Sequence, residues 1–227
     1  MCGRFSLTTE EKQLNEFFRL AGGTEPYIPR YNGAPTQQLA VITADQPDRL
    51  QYFRWGLVPS WSKEMTKSTP VINARAETIS EKPTFRRAFK SNRCLVPADG
   101  FYEWMHTGIK QPFRFVMADD TPFAMAGLWE TWKGSRGEII NSFAIITTGP
   151  NALIEPVHNR MPVILRKNSY EEWLFSEDQE SLKSMFIPFP AKGMRMYKVS
   201  ELVNSVKADG PELIKPLPGS EFFDFFK

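Results

Sequence analysis

Cysteine stands at position 2, directly behind the initiator methionine. Methionine is normally trimmed when the second residue is as small as Cys, which leaves a free α-amine and a thiol on adjacent carbons. Their ordinary pKa values are about 8 for the amine and about 8.5 for the thiol, so both are partly available as nucleophiles near neutral pH. The distinctive partner of a 1,2-aminothiol is an aldehyde. The amine forms an imine, the thiol closes on it, and the five-membered thiazolidine then holds the carbon by two bonds. Position alone does not establish that chemistry, because every chain has a second residue.

Three further groups have side chains suited to such a reaction. Asn73-Ala74-Arg75-Ala76-Glu77-Thr78 supplies an amide that both donates and accepts, and a guanidinium fork that fits a phosphate. Alone, a turn with a surface ion pair would account for it. In Ala98-Asp99-Gly100-Phe101-Tyr102-Glu103-Trp104 a carboxylate lies between aromatics, a setting that raises its pKa toward that of a proton-transfer group. A solvent-facing Glu on an alternating strand fits the same pattern. His158-Asn159-Arg160-Met161-Pro162 carries one of the two histidines, the usual acid or base near pH 7. The other, His106, sits in a turn-like Met105-His106-Thr107-Gly108 and is expected to be solvated. A structural role for His158 stays open. Two Cys and two His, far apart and without ligand spacing, make no metal site, and no phosphate-binding glycine loop or other cofactor motif is present.

These groups must be positioned by short elements. The 227 residues fit a single α+β domain with one sizeable core, and 18 Pro with 14 Gly favour turns over long helices. Thr8-Thr9-Glu10-Glu11 has capping-box spacing and opens an amphipathic helix that Gly22-Gly23 ends. Strands are expected at residues 39–43 and 50–58, then at 94–98, 101–105, 113–117, 123–132, 139–147 and 194–199. Short helices are expected at 83–89, 168–175 and 178–185, and an irregular surface loop at 59–70. The sheet is read as antiparallel and curled or closed. The Phe-rich end of the chain is read as a tail docked on its own domain, with a partner-binding peptide as the alternative.

The net charge of +2 makes no case for nucleic acid by itself, though a local basic groove is compatible with it. No apolar run approaches the roughly 20 residues that span a bilayer, and no signal core is present. A cytoplasmic monomer is the expectation, and a reducing cytosol keeps Cys2 free.

Taken in order, six segments resemble the SOS-response-associated peptidase (SRAP) family of abasic site processing proteins. They are Cys2-Gly3-Arg4-Phe5, Tyr31-Asn32-Gly33-Ala34-Pro35, Trp55-Gly56-Leu57-Val58-Pro59, and the three groups around Asn73, Glu103 and His158. The resemblance spans nearly the whole chain, with a core at about 2–216 and a tail at 217–227. It implies a single domain on a curled, barrel-like antiparallel β-sheet with flanking short helices, and a DNA groove over the N-terminus. It implies covalent capture of abasic sites in single-stranded DNA through a thiazolidine on Cys2 once Met1 is gone, as part of the DNA damage response. Removal of Met1 by the protein itself and a weak abasic-site lyase activity accompany it. It assigns the chemistry to Cys2, Asn73, Glu103 and His158. Arg4, Arg75 and Arg160 are expected at phosphates flanking the lesion, and Asn32, Pro35, Trp55 and Trp61 at the DNA. Lys207-Ala208 departs from the family pattern, which often has a second Asn there.

Two other readings compete. An N-terminal-nucleophile amidohydrolase also begins Met-Cys-Gly, but the chain has no accompanying Arg-Thr-Asn-Gly-type motif. A non-covalent single-strand-binding module would make the aromatics and arginines the whole function, with Cys2 dispensable.

Overall fold

The computed structural model describes residues 2–22, 27–64, 70–105 and 110–220. Its strands are β1 (Phe5–Leu7), β2 (Arg30–Gly33), β3 (Gln38–Thr43), β4 (Gln46–Trp55), β5 (Asn73–Arg75), β6 (Arg93–Ala98) and β7 (Gly100–Trp104). They continue with β8 (Pro112–Met117), β9 (Phe123–Lys133), β10 (Ile139–Thr148), β11 (Met161–Pro162), β12 (Ile164–Leu165) and β13 (Met194–Lys198). The α-helices are α1 (Glu11–Phe18), α2 (Pro83–Ser91), α3 (Tyr170–Phe175) and α4 (Gln179–Ser184). Every strand and helix expected from the sequence has its counterpart here. His106, part of the 59–70 loop and the end of the Phe-rich tail lie outside the described residues.

Pairing of β10 with β4, β4 with β3, β3 with β6, β6 with β9 and β9 with β10 closes a five-stranded barrel. A second sheet, in the order β13-β8-β7-β1-β2, packs against it. Barrel strands β3, β6, β9 and β10 are largely buried because both faces are covered, while β4 is polar and partly exposed over much of its length. On β3, Leu39 and Val41 face the core shared with the second sheet, while Ala40 and Ile42 face the helices. On β10, Phe143 and Ile145 point one way, and Ala144 and Ile146 the other.

Two local expectations need correction. The barrel is not wholly antiparallel, since β4 and β5 both run parallel to β10. After Trp55 the chain leaves the barrel at Gly56, whose φ of +131° suits glycine and where a Cβ would lie 2.7 Å from Pro70. It returns in the same direction as β5. The capping box is also not formed. Asp99 takes the hydroxyl of Thr8 and the backbone N–H of Thr9 (2.8 Å each), so Glu10 becomes an N-cap with no side-chain bond. The helix then stops early, at Arg19 with φ +58°.

Arg93 shows how the helices are fastened to the barrel. Its guanidinium is buried and donates to the carbonyls of Phe89 (2.8 Å), Lys90 (2.8 Å), Trp173 (2.6 Å), Leu174 (3.3 Å) and Ser176 (2.5 Å), at the C-terminal ends of α2 and α3. Arg93→Ala leaves those acceptors without their donor, and the expected loss is about 3–5 kcal/mol. The midpoint of urea unfolding measures it. Arg93→Lys should recover only part, because an ammonium lacks the planar fork.

No helix among the described residues is long and apolar enough to cross a membrane. Among them no cluster of three or more His, Cys, Asp or Glu side chains could hold a metal ion.

Candidate active site

Cys2 and Gly3 precede β1, which pairs with β7. Phe5 is opposite Phe101, and the Tyr102 N–H donates to the Arg4 carbonyl at 3.0 Å. β1 itself is held by Asp99, which accepts from Ser6 Oγ (2.7 Å) and pairs with the Arg114 guanidinium (2.8 Å). Burial alone would raise the Asp99 carboxyl, but Arg114 and the bonds from Ser6 and Thr8 hold it below the usual range. The N-terminal segment is thus part of the core, and Cys2 is fully buried within it.

The period of two along β7 puts Glu103 on the face of Phe101, toward the core that contains Cys2. Burial pushes the Glu103 carboxyl up to about 7. The Cys2 thiol is pushed well above its ordinary value, by burial first and by the Glu103 carboxylate second. The thiol is therefore neutral at physiological pH, and the carboxyl is poised to exchange a proton there.

Asn73 opens β5 beside Ile145 of β10. Its Nδ2 donates to the Cys2 carbonyl at 2.9 Å, while its Oδ1 is buried with no hydrogen-bond partner among the described residues. His158 follows a turn organised by Asn151, whose Oδ1 accepts from the N–H groups of Leu153 (3.1 Å) and Ile154 (3.0 Å). His158 Nδ1 lies 4.0 Å from Glu103 Oε1, and both side chains are buried. Four residues from four distant segments therefore meet at the chain's start. Together they comprise a buried thiol whose backbone carbonyl is held by Asn73, a carboxyl raised to about 7 and an imidazole beside it.

A sequence model of the family described as SOS response associated peptidase (SRAP) matches residues 1–206. The chain belongs to the SRAP family. Similar SRAP relatives include abasic site processing protein YoqW of Bacillus subtilis (strain 168), 44% identical over 95% of this chain and 99% of its own length. Abasic site processing protein YedK of Escherichia coli (strain K12) is 33% identical over 96% of this chain and 100% of its own. Among solved structures, a protein from Bacteroides thetaiotaomicron superposes with a TM-score of 0.84 at 28% identity, covering 95% of this chain and 100% of that one.

The expected DNA contacts of this SRAP chain divide into two groups. Trp61 is 64% exposed, Arg75 is exposed, and Pro35 is half-buried in a turn. Arg4 is half-buried, and its Nη1 donates to Asn32 Oδ1 (2.9 Å) and the Val203 carbonyl (2.8 Å). Two expectations are corrected. Trp55 is fully buried between Phe5 and Phe143, and its indole N–H donates to the Ile72 carbonyl at 3.0 Å. It braces the residue before Asn73 and has no face to offer a base. Asn32 is 1% exposed, and its Nδ2 is spent on the carbonyls of Ser205 (3.0 Å) and Ala208 (2.8 Å). It ties the 203–208 loop to β2. Arg160 is committed to Glu77 and to the Thr147 carbonyl. The sequence reading did not single out Glu77 as the partner of Arg160, although it stands in the same motif as Asn73. Its signal was the Arg–Glu complementarity between two motifs far apart in sequence.

Proposed function

We propose that this protein captures abasic sites in single-stranded DNA by forming a thiazolidine on Cys2 after Met1 is removed. The convergence of Asn73, Glu103 and His158 on Cys2 carries this reading, and the names of the relatives agree with it. The α-amine attacks the aldehyde carbon of the open sugar, and the carbinolamine loses water to give an imine. The neutral thiol then adds to the imine carbon, and its proton passes to nitrogen. Glu103 takes a proton from the amine before attack, and His158 supplies one at the ring oxygen as the sugar opens. Asn73 holds the Cys2 carbonyl and so fixes where the amine projects. Arg4 and Arg75 meet the flanking phosphates, and Trp61 with the Pro35 turn stacks on or wedges the bases.

The imine also acidifies the sugar C2′ proton. Its loss expels the 3′ phosphate, which gives a weak lyase activity. Hydrolysis of the Met1–Cys2 bond in the same site would generate the reactive terminus. The protein acts in the cytoplasm as a monomer.

The test is a denaturing gel of the purified protein with an oligonucleotide carrying one abasic site. A heat-stable shifted band is expected with the abasic strand. None is expected with an intact strand or with a tetrahydrofuran analogue that lacks the aldehyde. If protein shown by mass to begin at Cys2 gives no band, covalent capture is wrong.

A further inference from the structure

Arg160 stands two residues after His158, and its backbone faces the imidazole. The Arg160 N–H is 3.0 Å from His158 Nδ1, and the Arg160 carbonyl oxygen is 3.1 Å from the same nitrogen. An Nδ1 that carries a proton donates to that carbonyl, and an Nδ1 without one accepts from that N–H. Either way Nδ1 has a partner on one residue's backbone, and proton exchange is left to Nε2. Because this backbone offers Nδ1 both an acceptor and a donor, its placement sets the ring's orientation and the balance between its two tautomers.

The Arg160 side chain anchors that backbone together with the pairing of Met161 to Thr148. Its guanidinium grips both oxygens of the Glu77 carboxylate, with Nη2 to Oε2 at 3.0 Å, and Nη2 also donates to the Thr147 carbonyl. Thr147 is at the tip of β10, paired on one edge with Arg75 of β5 and on the other with Pro162 of β11. The ion pair thus spans the β10 tip and links the segment that begins with Asn73 to the loop that carries His158. The Arg160 side chain is only 16% exposed, which keeps the pair from being an ordinary surface contact, while Glu77 is 55% exposed. Bidentate Arg–carboxylate pairs fix geometry as well as supply energy.

We infer that Glu77 is a positioning residue for the capture reaction: through Arg160 it holds the His158 ring in the orientation and tautomer needed to move a proton. The inference rests on the capture chemistry proposed above. It assigns Arg160 primarily to this clamp, so loss of Glu77 should impair the chemical step more than DNA binding.

The experiment compares Glu77→Gln and Glu77→Asp with the unaltered protein, after melting curves establish that each is folded. At saturating abasic strand, Glu77→Gln is expected to slow crosslinking about ten- to a hundredfold. Its Kd for the tetrahydrofuran strand should stay within about twofold, and Glu77→Asp, which keeps the carboxylate, should recover most of the rate. An unchanged rate, or a loss seen only in Kd, overturns the inference. Nitrogen-15 NMR of the His158 ring, assigned with His106→Gln, decides it even if the unaltered protein proves unable to crosslink. The tautomer balance and ring shifts of the unaltered protein should change in Glu77→Gln and return in Glu77→Asp. Identical rings in both would overturn it.

Discussion

Cys2→Ser protein is expected to give no heat-stable adduct with an abasic strand, yet to be trapped on that strand when borohydride is present. The α-amine of this variant still forms an imine, and reduction makes that bond permanent. Without reduction the imine hydrolyses, because a hydroxyl does not close the ring as a thiol does. The heat-stable band should fall about a hundredfold or more. Cys2→Ala should behave the same way. The contrast separates the two bonds of the thiazolidine, which simple loss of the band does not. Mass measurement of the terminus must accompany it, since a retained Met1 would acylate the amine. A heat-stable band of undiminished strength from Cys2→Ser would sink the thiazolidine mechanism. The buried, neutral thiol agrees with this order of events, because it adds to a cationic imine more readily than to a carbonyl.

Glu103→Gln should slow capture about 10²- to 10⁴-fold, the usual range for loss of a general acid–base. The pH dependence makes the test specific. The Glu103 carboxyl is raised to about 7, so the unaltered rate should climb through pH 7 as the base form appears. In the Gln variant only the amine's own ionisation remains, with a midpoint near about 8. Stability should move the opposite way. A carboxyl raised in the folded state contributes stability that is fully present below its ordinary value of 4.5 and is lost as pH rises through about 7. At pH 8 the buried carboxylate therefore costs on the order of 3 kcal/mol. Glu103→Gln, neutral throughout, should unfold at a higher temperature than the unaltered protein at pH 8, and the advantage should vanish near pH 4. An acidic limb that is the same in both proteins would remove Glu103 from the proton path. The combination of lost rate and gained stability is the signature of a residue kept for chemistry rather than for folding.

Much of the architecture was legible in the sequence because strand patterning is local. Residues 123–132 and 139–147 announce β9 and β10 by composition alone, since both faces of those strands are covered by apolar groups. The site was legible for a different reason. An N-terminal aminothiol has few uses, and the motifs around Asn73, Glu103 and His158 come in the order of one family.

What the sequence could not reveal depends on partners far away along the chain. Thr8 and Thr9 have the spacing of a helix cap, yet Asp99, some ninety residues away, takes them. Trp55 has the composition of a stacking platform, yet closure of the barrel buries it between Phe5 and Phe143. Arg160 has the makings of a phosphate ligand, and the fold also brings Glu77 to it across the tip of β10. The sequence by itself determined the strands, the place of Cys2 behind Met1 and the motifs that the fold gathers around it. Only the tertiary structure decided which of the charged and aromatic side chains are exposed and which are buried against the site. Residue type states what a side chain can bond, and only the fold determines which partner is within about 3 Å of it.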